Sequence, residues 1–278
     1  MSEQYKKEIY SLVCGDDWIG LRELSFKKQV IFFNNSIENN LLNEKGYKVM
    51  LAFSEPEAFR VSNQSIIENS NKFDLILTFD EELLKCCKNA VKCLFGTSWI
   101  GEEANTINVN NKLFKTSFLC GGKNILEGHR LRQEIWKRQM DIKIHKEFWI
   151  SSSIPIDSVD NNQLYPTDSS KFLLFKECQF HICIENSRIN NYFTEKVCDC
   201  FNTYTIPIYW GCPNVTEYFD QDGMILFENC EGLIEKINKL TYKDYIDRIP
   251  FVLKNKQKVR DYCGSFSDKI RTIIHNYL

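Results

Sequence analysis

Short apolar runs alternate along the chain with polar, turn-forming stretches, and most of the runs have the length of strands. Residues 9–13 and 29–33 predict a first pair of strands, with 21–26 ambiguous between them. Residues 39–44 predict a short helix stopped by Gly46, and 47–53 a strand ending at Ser54-Glu55-Pro56-Glu57. A strand over 73–79 ends at Asp80, followed by a helix over 81–88 and a strand over 91–95. A second series starts at Leu113: a strand over 114–120, a Gly121-Gly122-Lys123 turn, and a helix from Glu127 with basic residues in its first turns. Residues 148–152 read as a strand and 165–170 as a loop, in which Ser169 or Ser170 is placed to cap a helix. Residues 224–227 predict a strand, and 232–240 a helix with Leu233, Ile237 and Leu240 inward. A last helix carries Val259, Tyr262, Phe266, Ile270 and Ile273 on one stripe.

Strands alternating with helices at this spacing imply an α/β fold with parallel sheets. The two series divide the chain into residues 1–112 and 113–255. The stripe of 256–278 needs a surface to cover, and it is expected to cross back onto the first domain.

The stretch 180–213 organises the second series. Phe180, Ile182 and Ile184 alternate as in a strand, and the pattern releases Glu185 and Asn186 where it stops. A polar turn, an apolar helical segment at 197–201 and a buried run at 206–210 complete a strand, loop, helix, strand crossover. Ligands of such sheets bind at the carboxyl ends of strands. Glu185, Asn186, Tyr192, Thr194, Glu195 and Lys196 are therefore expected in one crevice. Lys196 falls at the start of a helix, where free backbone N–H groups and the positive dipole end favour anions. Arg132 is the second candidate cation, suited to bidentate phosphate contact, with Arg130 or Lys123 as substitutes.

Phe180, Glu185-Asn186, Tyr192-x-Thr194-Glu195-Lys196 and Ile206-Pro207-Ile208-Tyr209-Trp210-Gly211 resemble the signature of the α1,3-fucosyltransferases, tightly over this stretch and more loosely over 115–240. The resemblance implies a GT-B arrangement, two facing Rossmann-like domains with an interdomain cleft. It implies an inverting glycosyltransferase that moves fucose from GDP-fucose to a hydroxyl of an acceptor glycan, with no metal and no other cofactor. Glu195 would then accept from the ribose hydroxyls, Asn186 and Tyr192 would help hold the donor, and Arg132 and Lys196 would stabilise the departing diphosphate. The family keeps its base after a comparable first-domain strand, which points to Glu55. Pro56 and Glu57 depart from the family's usual neighbours, so Glu57 stays open as the alternative, with Glu102 and Glu103 in reserve. Glu185 either orients the donor sugar or satisfies backbone amides at the turn. Gly211 is a donor-site candidate because it permits close backbone approach, whereas Tyr209 and Trp210 read as core. His129 reads as a phosphate contact or a helix-surface residue, and His181 as packed against a neighbouring helix.

Composition narrows the alternatives. A net charge of -2 gives no general attraction for nucleic acid or anionic membranes. No uncharged apolar run approaches the ~18 residues of a membrane span, and the start MSEQYKKEIYSLVCGDD shows no secretion signal, so a cytoplasmic protein is expected. The 12 cysteines then read as reduced, buried thiols, and the Asn-x-Ser/Thr triplets at Asn34, Asn63 and Asn214 as chance. Cys86-Cys87 and Cys198-x-Cys200 lack histidines at zinc spacing. Asp220-Gln221-Asp222 has the letters of a metal-dependent transferase, but it precedes a strand and reads as a turn. Another nucleotide sugar as donor, and a non-catalytic nucleotide-sugar or glycan-binding protein, remain as alternatives. Acceptor identity and oligomeric state are not readable.

Overall fold

A computed structural model describes residues 8–15, 17, 20–37, 40–56, 58–151, 164–165, 171–262 and 265–277. The chain divides into two compact units, Met1–Phe95 with Gly264–Leu278, and Gly96–Cys263. Residues 96–112, grouped with the first series by pattern, thus belong to the second unit. Ser169, Ser170 and Glu57 lie outside the described residues.

The first unit contains β1 (Ile9–Tyr10), β2 (Leu12–Cys14), β3 (Ser25–Phe26), β4 (Val30–Asn34), β5 (Tyr47–Ala52), α1 (Asn63–Glu68), β6 (Leu75–Thr78), α2 (Glu81–Cys86) and β7 (Ala90–Lys92). The second contains β8 (Leu113–Cys120), α3 (Glu127–Lys137), β9 (Lys146–Ile150), β10 (Cys178–Ile184), α4 (Glu195–Asn202), β11 (Ile206–Trp210), β12 (Ile225–Leu226), α5 (Cys230–Asn238) and α6 (Tyr242–Tyr262). The last helix, α7 (Phe266–Tyr277), belongs to the first unit.

In the first unit β2, β4, β5, β6 and β7 form a parallel sheet in that spatial order. The run 9–13, expected as one strand, is two: the chain changes partners at Ser11, whose backbone N–H donates to Leu24 O at 2.9 Å. β1 pairs antiparallel with β3, and β2 pairs parallel with β4. The helix expected over 39–44 is a 3-10 turn, Asn40–Asn43. Helix α1 has no counterpart in the sequence reading because its apolar stripe is too short to register, with only Ile66 buried. What holds it is its cap, the Ser62 hydroxyl accepting from Ser65 N at 3.1 Å.

The stripe from Val259 to Ile273 does not belong to one helix. It is split between α6 and α7, and the residues α7 buries are Phe266, Ile270 and Ile274, a spacing of four that replaces Ile273 on the inner face. The Phe266 ring meets Phe53 edge-on at 4.9 Å and Phe95 at 5.4 Å.

The second unit's sheet is parallel throughout, in the order β12-β11-β10-β8-β9. Every residue of β10 and β11 is buried, as expected for parallel strands covered on both faces. From β8 the chain runs to the edge strand β9, then returns to the other side of β8 as β10. The strand order therefore reverses between β8 and β10, and such a switch point opens a crevice at the carboxyl ends of the two strands. Helix α6 covers α4, fastened by Lys256 Nζ donating to Asn202 O at 2.7 Å and Tyr245 OH donating to Tyr204 O at 3.0 Å.

Candidate active site at the strand reversal of the second unit

Two helices start at this reversal, α3 after β8 and α4 after β10. Gly128, in the first turn of α3, lets the helix touch the end of β10: its N–H donates to Asn186 O at 2.9 Å, and a Cβ at this position would lie 1.9 Å from Glu185 O. Arg132, one turn further, is buried and donates from Nη1 to Ile184 O at 2.5 Å and from Nη2 to Asn186 Oδ1 at 2.7 Å. A guanidinium has five N–H donors, so these two bonds tie α3 to β10 and leave part of the fork for a further acceptor.

Thr194 caps α4, its hydroxyl accepting weakly from Lys196 N at 3.4 Å. Glu185, fully buried, locks that cap in place: its carboxylate accepts from Thr194 N at 2.9 Å and from the Thr194 hydroxyl at 2.7 Å. Burial pushes the Glu185 carboxyl up, with Lys196, 3.6 Å away, pulling the other way. Gly211 makes room for this carboxylate. A Cβ there would fall 2.5 Å from Glu185 Cγ and 2.6 Å from Tyr209 OH, so the space Gly211 leaves open is filled by protein side chains. Packing by Glu185 and Tyr209 is by itself reason for a glycine at this position.

Glu195 is buried, and two ammonium groups meet its Oε1: Lys196 at 3.2 Å and Lys171 at 3.3 Å. Burial alone would disfavour the charged form. The attraction of Lys196 and Lys171, with the hydrogen bond from Lys196, outweighs it and holds the carboxyl down at about 2. Lys196, a quarter exposed, is held above its ordinary range against the cost of burial by Glu195 and Glu185. One turn along α4, Asp199 Oδ1 accepts from Ser98 Oγ at 2.7 Å, Trp99 N at 2.9 Å and Ile100 N at 3.3 Å. Burial drives its carboxyl up to about 7 despite these donors, and Glu195 adds to the rise. His129 is lowered to about 4 by burial and then by the cations Arg132, Lys123, Lys196 and Arg130. Its Nδ1 accepts from Leu126 N at 3.1 Å, which makes it a neutral cap of α3.

Arg132, Lys171, Lys196 and Asp199 line one cavity of about 70 Å³ with His181 and Cys183 of β10. Its volume is that of about two waters, yet three cations and the start of α4 border it. The arrangement suits an anion with several oxygens, next to a carboxylate kept ionised at all ordinary pH. His181 is a core residue, bonded through Nδ1 to Ser117 Oγ at 2.8 Å and lowered to about 3 by burial and then by Lys171 and Lys112.

Residues 137–262 match the model of the glycosyltransferase family 10 (fucosyltransferase) C-terminal domain. The likeness to this family is carried by the second unit. An α-(1,3)-fucosyltransferase of Helicobacter pylori is 34% identical over 64 residues, 23% of this chain and 13% of the relative. α-(1,3)-Fucosyltransferase B of Drosophila melanogaster is 34% identical over 83 residues, 28% of this chain and 18% of the relative. The matched stretches thus span less than a fifth of either relative. An α1,3-fucosyltransferase crystal structure shares the fold at TM-score 0.52 and 18% identity, over 80% of this chain and 68% of that one. Another, with GDP, does so at TM-score 0.50 and 19% identity, over 86% and 77%. The fold is GT-B, with one Rossmann-like sheet in each unit.

Of the residues expected in one crevice, Glu185, Asn186, Thr194, Glu195 and Lys196 lie together at the reversal, and the second candidate cation, Arg132, lies with them. Tyr192 is buried on the loop that leads into α4. Hydrogen bonds pin that loop: Asn191, at φ 64°, donates from N to Asn214 Oδ1 at 2.8 Å, and Tyr218 OH donates to its side chain. Asn214 is accordingly a loop clasp, and Asn63 is bound to Asp80 and Glu82. Glu55 lies in the first unit, buried after β5, its backbone O accepting from Phe59 N at 3.1 Å. Asp220 caps a 3-10 turn, its Oδ1 accepting from Asp222 N at 3.1 Å. Among the described residues no three His, Cys, Asp or Glu side chains gather as metal ligands, and no helix is long and apolar enough to cross a membrane. The sequence reading missed Lys171, Asp199 and Gly128. Asp199 had a signal, an acid inside the apolar turn 197–201, and Gly128 had one too, a glycine opening a helix. Lys171 had none.

Proposed function

We propose that the chain is an inverting glycosyltransferase that moves fucose from GDP-fucose to a hydroxyl of an acceptor glycan. The observation that carries this reading is the Glu195–Lys196 pair at the start of α4, an ionised carboxylate and an ammonium side by side beside Arg132. Lys196 and Arg132 suit two linked phosphates, and Glu195 suits the ribose hydroxyls that follow them. Support comes from the match of residues 137–262 to the fucosyltransferase family model and from the likeness to an α1,3-fucosyltransferase solved with GDP.

In the reaction Glu55 takes the proton of the acceptor hydroxyl, whose oxygen attacks fucose C1 from the face opposite the leaving group. The bond from C1 to the diphosphate oxygen breaks, and the charge left on GDP is met by Lys196 and Arg132. No metal is needed, because the side chains supply the positive charge. A thermal-shift panel of nucleotide sugars tests the donor, since only a ligand of the native state raises the melting temperature. GDP and GDP-fucose are expected to stabilise and UDP-sugars not to; a UDP-sugar that stabilised more would overturn the choice of donor. Loss of activity with chelator and its return with manganese would overturn the metal-free step.

A further inference from the structure

Lys171 stands outside every motif of the chain, yet its ammonium closes a ring of contacts around Glu195. It lies in the 3-10 turn Lys171–Leu174, 3.3 Å from Glu195 Oε1. On its other side it sits over the Trp99 ring, 3.9 Å from the centroid, a cation–π distance. Trp99 in turn is held by α4. Asp199 accepts from Ser98 Oγ, Trp99 N and Ile100 N, while Asn202 Nδ2 donates to Ser98 Oγ and Ile100 O at 3.1 Å each. The path therefore runs from α4 to the strap 98–100, to Lys171, and back to Glu195 on α4. Both ammonium groups meet Glu195 at Oε1.

We propose that Lys171, braced by Trp99, is a positioning residue that fixes the rotamer of Glu195 so that its carboxylate reads the ribose hydroxyls of the donor nucleotide. The inference rests on the reading of the site given above. Lys196 alone does not suffice for this task, because it also answers to Glu185 and Thr194. A second cation from a different element removes the freedom of the carboxylate to follow Lys196 when Lys196 engages a phosphate.

The test is calorimetric titration of the full chain with GDP and with 2′,3′-dideoxy-GDP, for the wild type, Lys171→Met, Lys171→Arg and Trp99→Ala. The wild type should prefer GDP by roughly tenfold or more, the worth of a hydrogen bond to a charged group. Lys171→Met should lose about tenfold more affinity for GDP than for dideoxy-GDP, so that the preference collapses whatever the loss common to both nucleotides. Lys171→Arg should keep most of the preference and Trp99→Ala part of it. Equal losses for both nucleotides would mean a merely structural role and overturn the proposal, as would an unchanged preference. A wild type that binds both nucleotides equally would also overturn it while leaving nucleotide binding intact. Failure of the wild type to bind either would remove the functional reading itself, and this inference with it.

Discussion

The two units are built from the same parts and use the ends of their strands differently. In the first, the sheet runs β2-β4-β5-β6-β7 without reversal, and the polar groups beyond the strands satisfy one another. Asp80 caps α2 through Glu82 N and Leu83 N and also accepts from Arg60 at 3.1 Å and Asn63 at 3.0 Å. Arg60 is buried and lowered by that burial, with Asp80 and Glu55 opposing. In the second unit the order reverses, two helices start side by side, and their caps leave three cations bordering a cavity. An acid at a strand end is thus a cap in one unit and half of an ion-pair cluster in the other. The strand order decides which, because only a reversal separates the two following helices enough to open space between them.

The largest effects should come from separating the roles assigned to the two units. Glu55→Ala in the first unit should lower kcat by about 1000-fold, within the range of lost general-base catalysis, and leave GDP affinity within about twofold. Lys196→Ala in the second should raise the Kd for GDP by about 30-fold or more, as expected when a group meeting phosphate charge is lost. Equal loss of GDP binding in both variants, measured by calorimetry beside turnover, would erase the division of labour.

Next come the glycines that shape the second unit's site. Gly211→Ala would put a Cβ against Glu185, and Gly128→Ala would put one against the backbone at Glu185 O. Each should cost about 3 kcal/mol in urea unfolding, the upper range for overpacking. Gly101→Ala, with nothing within 4 Å of its added Cβ, should stay within about 0.5 kcal/mol. A tolerant Gly211 would mean that Glu185 does not lock the α4 cap.

Most of this architecture was legible in the chain, for physical reasons that also explain the misses. A buried parallel strand has to be apolar on both faces, so β10 and β11 stand out without any partner being known. The end of such a run fixes where polar groups emerge, and that located Glu185 through Lys196. Nothing local marks a residue whose role depends on a distant element. Lys171 looks like any lysine ahead of an apolar stretch, and its significance comes from Trp99 and Glu195, far away in sequence. The stripe Val259 to Ile273 failed for the opposite reason: its spacing is helical on both sides of a break, and periodicity alone does not see the break. Gly211 shows a third limit, since a glycine signals close approach without saying what approaches.

The smallest effect, and the one that confines the comparison to the second unit, is in the pH dependence of stability. Asp199 is raised to about 7 when folded, from an ordinary value of 3.8. The folded state then binds more protons than the unfolded one between these values, so the stability Asp199 contributes is complete below pH 4 and is lost as pH rises through 7. His129 is lowered to about 4 from 6.5. Its folded state binds fewer protons, so its contribution is complete above pH 6.5 and is lost as pH falls through 4. Between pH 4.5 and 6.5 the two slopes oppose each other, each at most about 1.4 kcal/mol per pH unit. His181, lowered to about 3, adds a further climbing slope in this window, so the informative quantity is each variant's profile relative to the wild type. Relative to the wild type, Asp199→Asn should tilt the urea-unfolding stability toward a steeper climb with pH, and His129→Gln should tilt it the other way. Parallel profiles for the two variants would show that these groups do not carry the opposed charges assigned to them.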